Sequence, residues 1–113
     1  MKISTIETSV SEGTGLYKVV LVFDLKPGSA DEELRRSVEP TSFPALLSQQ
    51  PGFVELELVK VSPDRTLSIQ TWQSEPAFFA ALEAVKRARD AAPVREDILV
   101  SRQFFAGTLV ARR

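Results

Sequence analysis

Two short runs of alternating residues, Phe53 to Val61 and Thr66 to Gln73, flank the turn-forming stretch Ser62-Pro63-Asp64-Arg65. A period of two on either side of a Pro-Asp turn predicts an antiparallel hairpin. A four-residue loop sets Leu58 opposite Ile69, Leu56 opposite Thr71, Glu57 opposite Gln70 and Glu55 opposite Trp72. That register gathers Leu56, Leu58, Leu67, Ile69 and Thr71 on one surface. It places Glu55, Glu57, Ser68, Gln70 and Trp72 on the other. A slip of one residue would exchange the faces of one strand relative to its neighbour, so the assignment depends on the turn.

The flanking segments complete the unit. Leu16 to Lys26 alternates Tyr17, Val19, Leu21, Phe23 and Leu25 with a mixed set, the pattern of a central strand, and Pro27-Gly28 ends it. Ser29 with Glu32 three residues on forms a capping box, and Leu34 and Val38 mark the buried face of the helix that follows. Pro40 and Pro44 predict a kink or a second helical piece carrying Phe43, Leu46 and Leu47. Ser74 caps another helix, with Phe78, Leu82, Val85 and Arg89 on one side and an end at Ala92-Pro93. Ile98 to Ala111 reads as one long strand or two shorter ones, with Gly107 suggesting a bulge. Residues 1–15 read as a lead-in to a single domain spanning 1–113.

The order strand, helix, strand, strand, helix, strand, joined by right-handed crossovers, predicts an α+β fold. It is a ferredoxin-like split βαβ sandwich with a four-stranded antiparallel sheet and helices on one face. A chain of 113 residues buries roughly two-thirds of its unfolded surface, which leaves little spare stability. An apolar outer sheet face needs a cover, and a second copy related by a two-fold axis supplies one. We therefore expect a homodimer.

Composition excludes whole classes of chemistry. The sequence has no Cys and no His, so it offers no disulfide, thiol nucleophile, Ser-His-Asp triad or His-ligated zinc or haem. Net charge is −1, although residues 86–113 carry 7 basic against 3 acidic side chains and residues 1–85 carry 7 against 12. That basic end binds an anion or pairs with acidic neighbours. No window matches the ~20 apolar residues of a membrane span, and the N-terminus lacks the apolar core of an export signal. The expected location is the cytoplasm, with no membrane partner.

Pro51-Gly52-Phe53, a strand, a polar turn, a strand ending Thr71-Trp72-Gln73-Ser74-Glu75 and a Phe/Ala/Leu helix together resemble a known family. They resemble the antibiotic biosynthesis monooxygenase-like domains of the dimeric α/β-barrel superfamily, from about Tyr17 to Val110. The superfamily mixes cofactor-free oxygenases, haem-degrading enzymes, polyketide cyclases and proteins of no known activity. The resemblance implies a dimeric α/β barrel and, in its oxygenase branch, an oxidoreductase that uses no cofactor. In that branch an Asn and a Trp on the third strand hold the oxyanion of a deprotonated phenol. Carried over, the Trp is Trp72 and the Asn position falls on Ser68, whose hydroxyl reaches less far than a carboxamide. The haem-degrading branch needs an axial His, which this sequence lacks.

Trp72 and Ser68 are thus the candidate catalytic residues, and Glu55, Glu57, Gln70, Tyr17 and Arg102 the candidate substrate-binding residues. Each has a structural alternative. Trp72 and Tyr17 can simply pack the sheet, and Arg102 and Arg89 can pair with acids. Alternating glutamates are a common guard against edge-to-edge strand pairing. Phe104 and Phe105 put one ring on each face of the last strand. Two functions follow. A cofactor-free oxygenase acting on an aromatic or quinone-like metabolite requires an apolar pocket with Trp72 and Ser68 at its wall. A non-catalytic dimeric module, structural or binding a small molecule, requires Trp72 packed shut and both glutamates in water. RNA binding calls for aromatics amid basic residues on a sheet face, and acids stand beside Trp72 in the expected register, so no nucleic-acid partner is expected.

Overall fold

The computed structural model describes residues 15–88 and 97–113. The expected lead-in, Arg89 and the helix end at Ala92-Pro93 lie outside them. The elements are β1 (Tyr17–Leu25), α1 (Ala30–Ser37), α2 (Phe43–Leu47), β2 (Phe53–Ser62), β3 (Arg65–Trp72), α3 (Glu75–Ala88) and β4 (Leu99–Thr108). One antiparallel sheet has the order β2-β3-β1-β4, which makes the fold ferredoxin-like α+β with β1 at its centre.

Each helix starts where the chemistry of its first residues allows. Ser42 Oγ accepts from Ala45 N–H at 3.1 Å, with Pro44 in the first turn of the second helical piece. Ser74 Oγ accepts from Ala77 N–H at 3.2 Å. The capping box expected at Ser29 does not form. The Glu32 carboxylate is drawn instead to Arg35 and Arg36, both at 2.7 Å, because charge-assisted pairs outcompete a reach back to one amide. The buried face of α1 also differs from expectation. Ala30, Glu33 and Ser37 point inward, while Val38 is exposed.

The hairpin register is one residue away from the expected one. Leu58 pairs with Ser68, Leu56 with Gln70, Glu57 with Ile69 and Glu55 with Thr71. The cause is a bulge at Val61: Lys60 pairs with Thr66 and Ser62 with Arg65, so Val61 has no opposite number. The turn is pulled tight by the β1–α1 connection. Leu25 N–H donates to Asp64 O at 2.8 Å, Ala30 N–H to Pro63 O at 2.9 Å and Gly28 N–H to Asp64 Oδ1 at 2.8 Å. A second irregularity at Val54 brings Phe53 opposite Trp72. Gly107, expected at a bulge, pairs regularly with Lys18; the irregularity of β4 falls at Val100.

The helix-facing side of the sheet is therefore built of four cross-strand rows. They are Phe53–Trp72–Tyr17–Thr108, Leu56–Gln70–Val19–Ala106, Leu58–Ser68–Leu21–Phe104 and Lys60–Thr66–Phe23–Arg102. The first row is sealed by α3. Trp72 is fully buried, with Phe53 and Phe78 edge-on to it at 5.4 and 5.7 Å between ring centroids. Tyr17, Val19, Leu47, Ala81 and Val85 complete this core. Gly52 closes the corner: its φ is +89° and an added Cβ would lie 2.5 Å from Ala77 Cβ, so glycine is required.

Candidate functional site

Beyond the sealed row the helices lift away from the sheet and leave a cavity of about 700 Å3. Its floor is Gln70 from the second row, all four residues of the third, and Thr66, Phe23 and Arg102 from the fourth. Leu34, Phe43, Leu47, Phe78 and Leu82 supply most of the apolar roof. The volume suits a molecule of two or three fused rings, and a mainly apolar lining with a few convergent polar groups is the usual form of a small-molecule site.

Those polar groups come from two sides. On the floor, Thr66, Ser68 and Gln70 alternate along β3 and are 2–3% exposed. Ser68 Oγ is buried with no hydrogen-bond partner among the described residues. Such orphans are rare, and an unmade bond of this kind costs about 1–3 kcal/mol. Gln70 Oε1 accepts from the Trp72 indole N–H at 2.9 Å. On the roof, Glu33 is 4% exposed and takes a hydrogen bond from Ser37 Oγ at 3.3 Å. Lys86 and Arg102 stand at the rim, both exposed and neither in an ion pair among the described residues.

Of the residues singled out from sequence, Ser68, Gln70 and Arg102 meet in this cavity. Trp72 does not line it; the indole lies one row behind Gln70 and touches the site through that side chain. Tyr17 also sits in the sealed row, beside Phe78 and Phe79 at 5.9 and 6.3 Å. Burial, and then the nearby Glu75 carboxylate, push its phenol pKa up. Glu55 and Glu57 are corrected outright. The Val61 bulge turns them to the opposite sheet face, where they are exposed and cannot reach anything bound beside Ser68. Phe104 and Phe105 do take opposite faces, with Phe104 stacked on Phe78 at 6.1 Å and Phe105 57% exposed.

Sequence reasoning missed Glu33, Ser37, Thr66 and Lys86. The first two could have been found from the i, i+4 pairing of a carboxylate and a hydroxyl on the face of α1 that also holds Ala30. Thr66 shares a face with Ser68 and Gln70 by the alternation of β3 itself and could have been found from it, whereas nothing distinguishes Lys86 from an ordinary surface lysine until the cavity is seen. Among the described residues no cluster of three or more acidic, His or Cys side chains could hold a metal ion. No helix there is long and apolar enough to cross a membrane.

No family model matches the sequence, and no curated relative does. Solved structures do. A candidate antibiotic biosynthesis monooxygenase from Bacillus cereus is 14% identical with a TM-score of 0.66, over 87% of this chain and 94% of that one. A variant of SnoaB, a cofactor-independent oxygenase from Streptomyces nogalater, is 22% identical with a TM-score of 0.61, over 88% and 95%. The haem-degrader MhuD from Mycobacterium tuberculosis, solved with two haems in its active site, is 17% identical with a TM-score of 0.67, over 87% and 98%. The chain thus has the fold of the antibiotic biosynthesis monooxygenase-like proteins, a fold that serves more than one chemistry.

Proposed function

We propose that this chain is a small cofactor-independent monooxygenase that binds an aromatic or quinone-like metabolite in the cavity above β3 and works as a homodimer. The observation that carries the reading is the unpartnered Ser68 hydroxyl, 3% exposed, in an otherwise mostly apolar chamber of about 700 Å3. A hydroxyl held dry without a partner is a group waiting for a ligand atom.

The chemistry needs only what the walls offer. Glu33 takes a proton from an acidic ring CH2 or phenol of the substrate, and donors on the floor stabilise the oxyanion. The electron-rich anion reacts with dioxygen, and reprotonation leaves a hydroperoxide on the ring carbon. Loss of water then yields a carbonyl. One oxygen atom stays in the product and the other leaves with both ring hydrogens as water, so no outside reductant is consumed. Haem does not fit the donor set: the sequence has no His or Cys, and the one Tyr is turned away from the cavity.

A second reading has its own support. Trp72 is packed shut and both glutamates face outward, as a non-catalytic binding module would have them. Oxygen uptake decides between the two. With anthrone or a naphthoquinol as probe, an oxygenase consumes one dioxygen per molecule oxidised, and Glu33→Gln abolishes the uptake while binding persists. Saturable binding without uptake assigns the chain to the binding module. The homodimer rests on the second sheet face, where Val20, Val22, Leu67 and Ile69 are only part-buried in one chain.

A further inference from the structure

The polar groups of the cavity floor have an internal order. Trp72 is buried completely, and its indole N–H can only donate. The Gln70 atom facing it at 2.9 Å is therefore the carbonyl oxygen Oε1, which fixes the orientation of the carboxamide. Both Nε2 hydrogens are left on the other side. Gln70 lines the cavity, is 2% exposed, and its Nε2 has no hydrogen-bond partner among the described residues.

Ser68 stands two positions along the same strand and the same face, with its hydroxyl equally unpartnered. Alternate residues on a strand are roughly 6.5 Å apart. Side chains on one face of a strand can converge on a single oxygen atom, which accepts from two donors at about 3 Å each. The neighbours of Ser68 in its row, Leu58, Leu21 and Phe104, can offer no acceptor side chain. The acceptor has to come with the ligand.

We infer that Gln70, and not Trp72, is the donor that works beside Ser68 on a carbonyl or phenolate oxygen of the bound molecule, and that Trp72 is a positioning residue that aims Gln70 into the cavity. The inference rests on the cavity being a small-molecule site, and it specifies which edge of the molecule points at β3. With the Glu33 carboxylate on the roof, the ligand presents an accepting oxygen to the sheet and a proton donor to α1. Trp72 thus acts through Gln70 and touches no substrate.

A matched pair of probes, 1-tetralone and tetralin, tests this, because they share a skeleton and differ in one carbonyl. Dissociation constants come from ligand-detected NMR titration of the full chain. The wild type binds tetralone roughly tenfold or more tightly than tetralin, the worth of one to two buried hydrogen bonds. Ser68→Ala and Gln70→Leu each bring the ratio toward one. Trp72→Phe lowers the ratio in the same way, which loss of packing alone would not do. If Trp72→Phe fails to fold, the side-chain amide resonances of Gln70 in the wild type give the answer: tetralone shifts them and tetralin does not. A wild-type ratio of one, with both probes bound, overturns the two-donor assignment and leaves the cavity reading intact. Absence of binding by either probe overturns the cavity reading itself.

Discussion

The Trp72 indole donates to Gln70 Oε1 at 2.9 Å, joining two residues of one strand that face the same way. Trp72 belongs to the sealed core and Gln70 to the cavity, so this single bond couples the packed half of the protein to the hollow half. The largest fully buried side chain among the described residues sets the direction of a polar group in the site.

The unpartnered hydroxyl of Ser68 should burden the empty protein. Ser68→Ala is expected to raise stability by about 1 kcal/mol in urea denaturation, since it removes a buried group with an unmade bond. The same variant should bind carbonyl-bearing aromatics less well. A gain in one property with a loss in the other is the signature of a functional orphan.

Gly52 sits at φ +89° against Ala77. Gly52→Ala should cost about 2–4 kcal/mol, combining the left-handed backbone penalty with displacement of α3. A thermal melt detects it. An unchanged midpoint would mean that the Pro51-Gly52-Phe53 corner is not held as described.

Acid should weaken the contacts that hold α1. Hydrogen bonds from Arg35, then Arg36, lower the Glu32 pKa from its ordinary 4.5 to about 2, and Arg36 likewise lowers Asp97. A depressed carboxylate stabilises the fold above its unfolded pKa. That contribution is lost as pH falls from about 4.5 through about 2. Stability measured across that window should decline in the wild type and decline less in Glu32→Gln. Because these pairs lie at the surface, salt should shrink the difference.

Phe105 tests the dimer. It is 57% exposed on the sheet face away from the helices, beside Val20. Phe105→Glu is expected to turn a dimer into a monomer in sedimentation velocity, without disturbing the cavity on the opposite face. A wild-type protein that sediments as a monomer would remove the dimer from the proposal.

The sequence made the strands, the central position of β1, the split helix before Phe53 and the cap at Ser74 legible, because each is written in local periodicity or in one capping side chain. It hid the hairpin register. The Val61 bulge inserts one residue without a local signature, and its cause is a set of hydrogen bonds from the distant Leu25, Gly28 and Ala30. Pattern could not correct the error, since Leu56 and Leu58 on one face and Leu67 and Ile69 on the other make both surfaces half apolar. Ser68 and Gln70 were found for their place on the third strand beside Trp72. Glu33 stayed hidden because three acids in a row, Asp31-Glu32-Glu33, conceal which one turns inward.

The four rows of the sheet end in a wall on one side and solvent on the other. A slot closed at its inner end admits its guest by one end only, so the two ends of an elongated molecule have different fates. A guest entering between the exposed Lys86 and Arg102 would meet the buried Gln70 at the sealed end, and any excess length would protrude. On the proposed function, the depth of the chamber is thus a ruler: it sets how far from the leading edge of a substrate its reacting carbon can lie. Substituents on the trailing edge are left unmeasured.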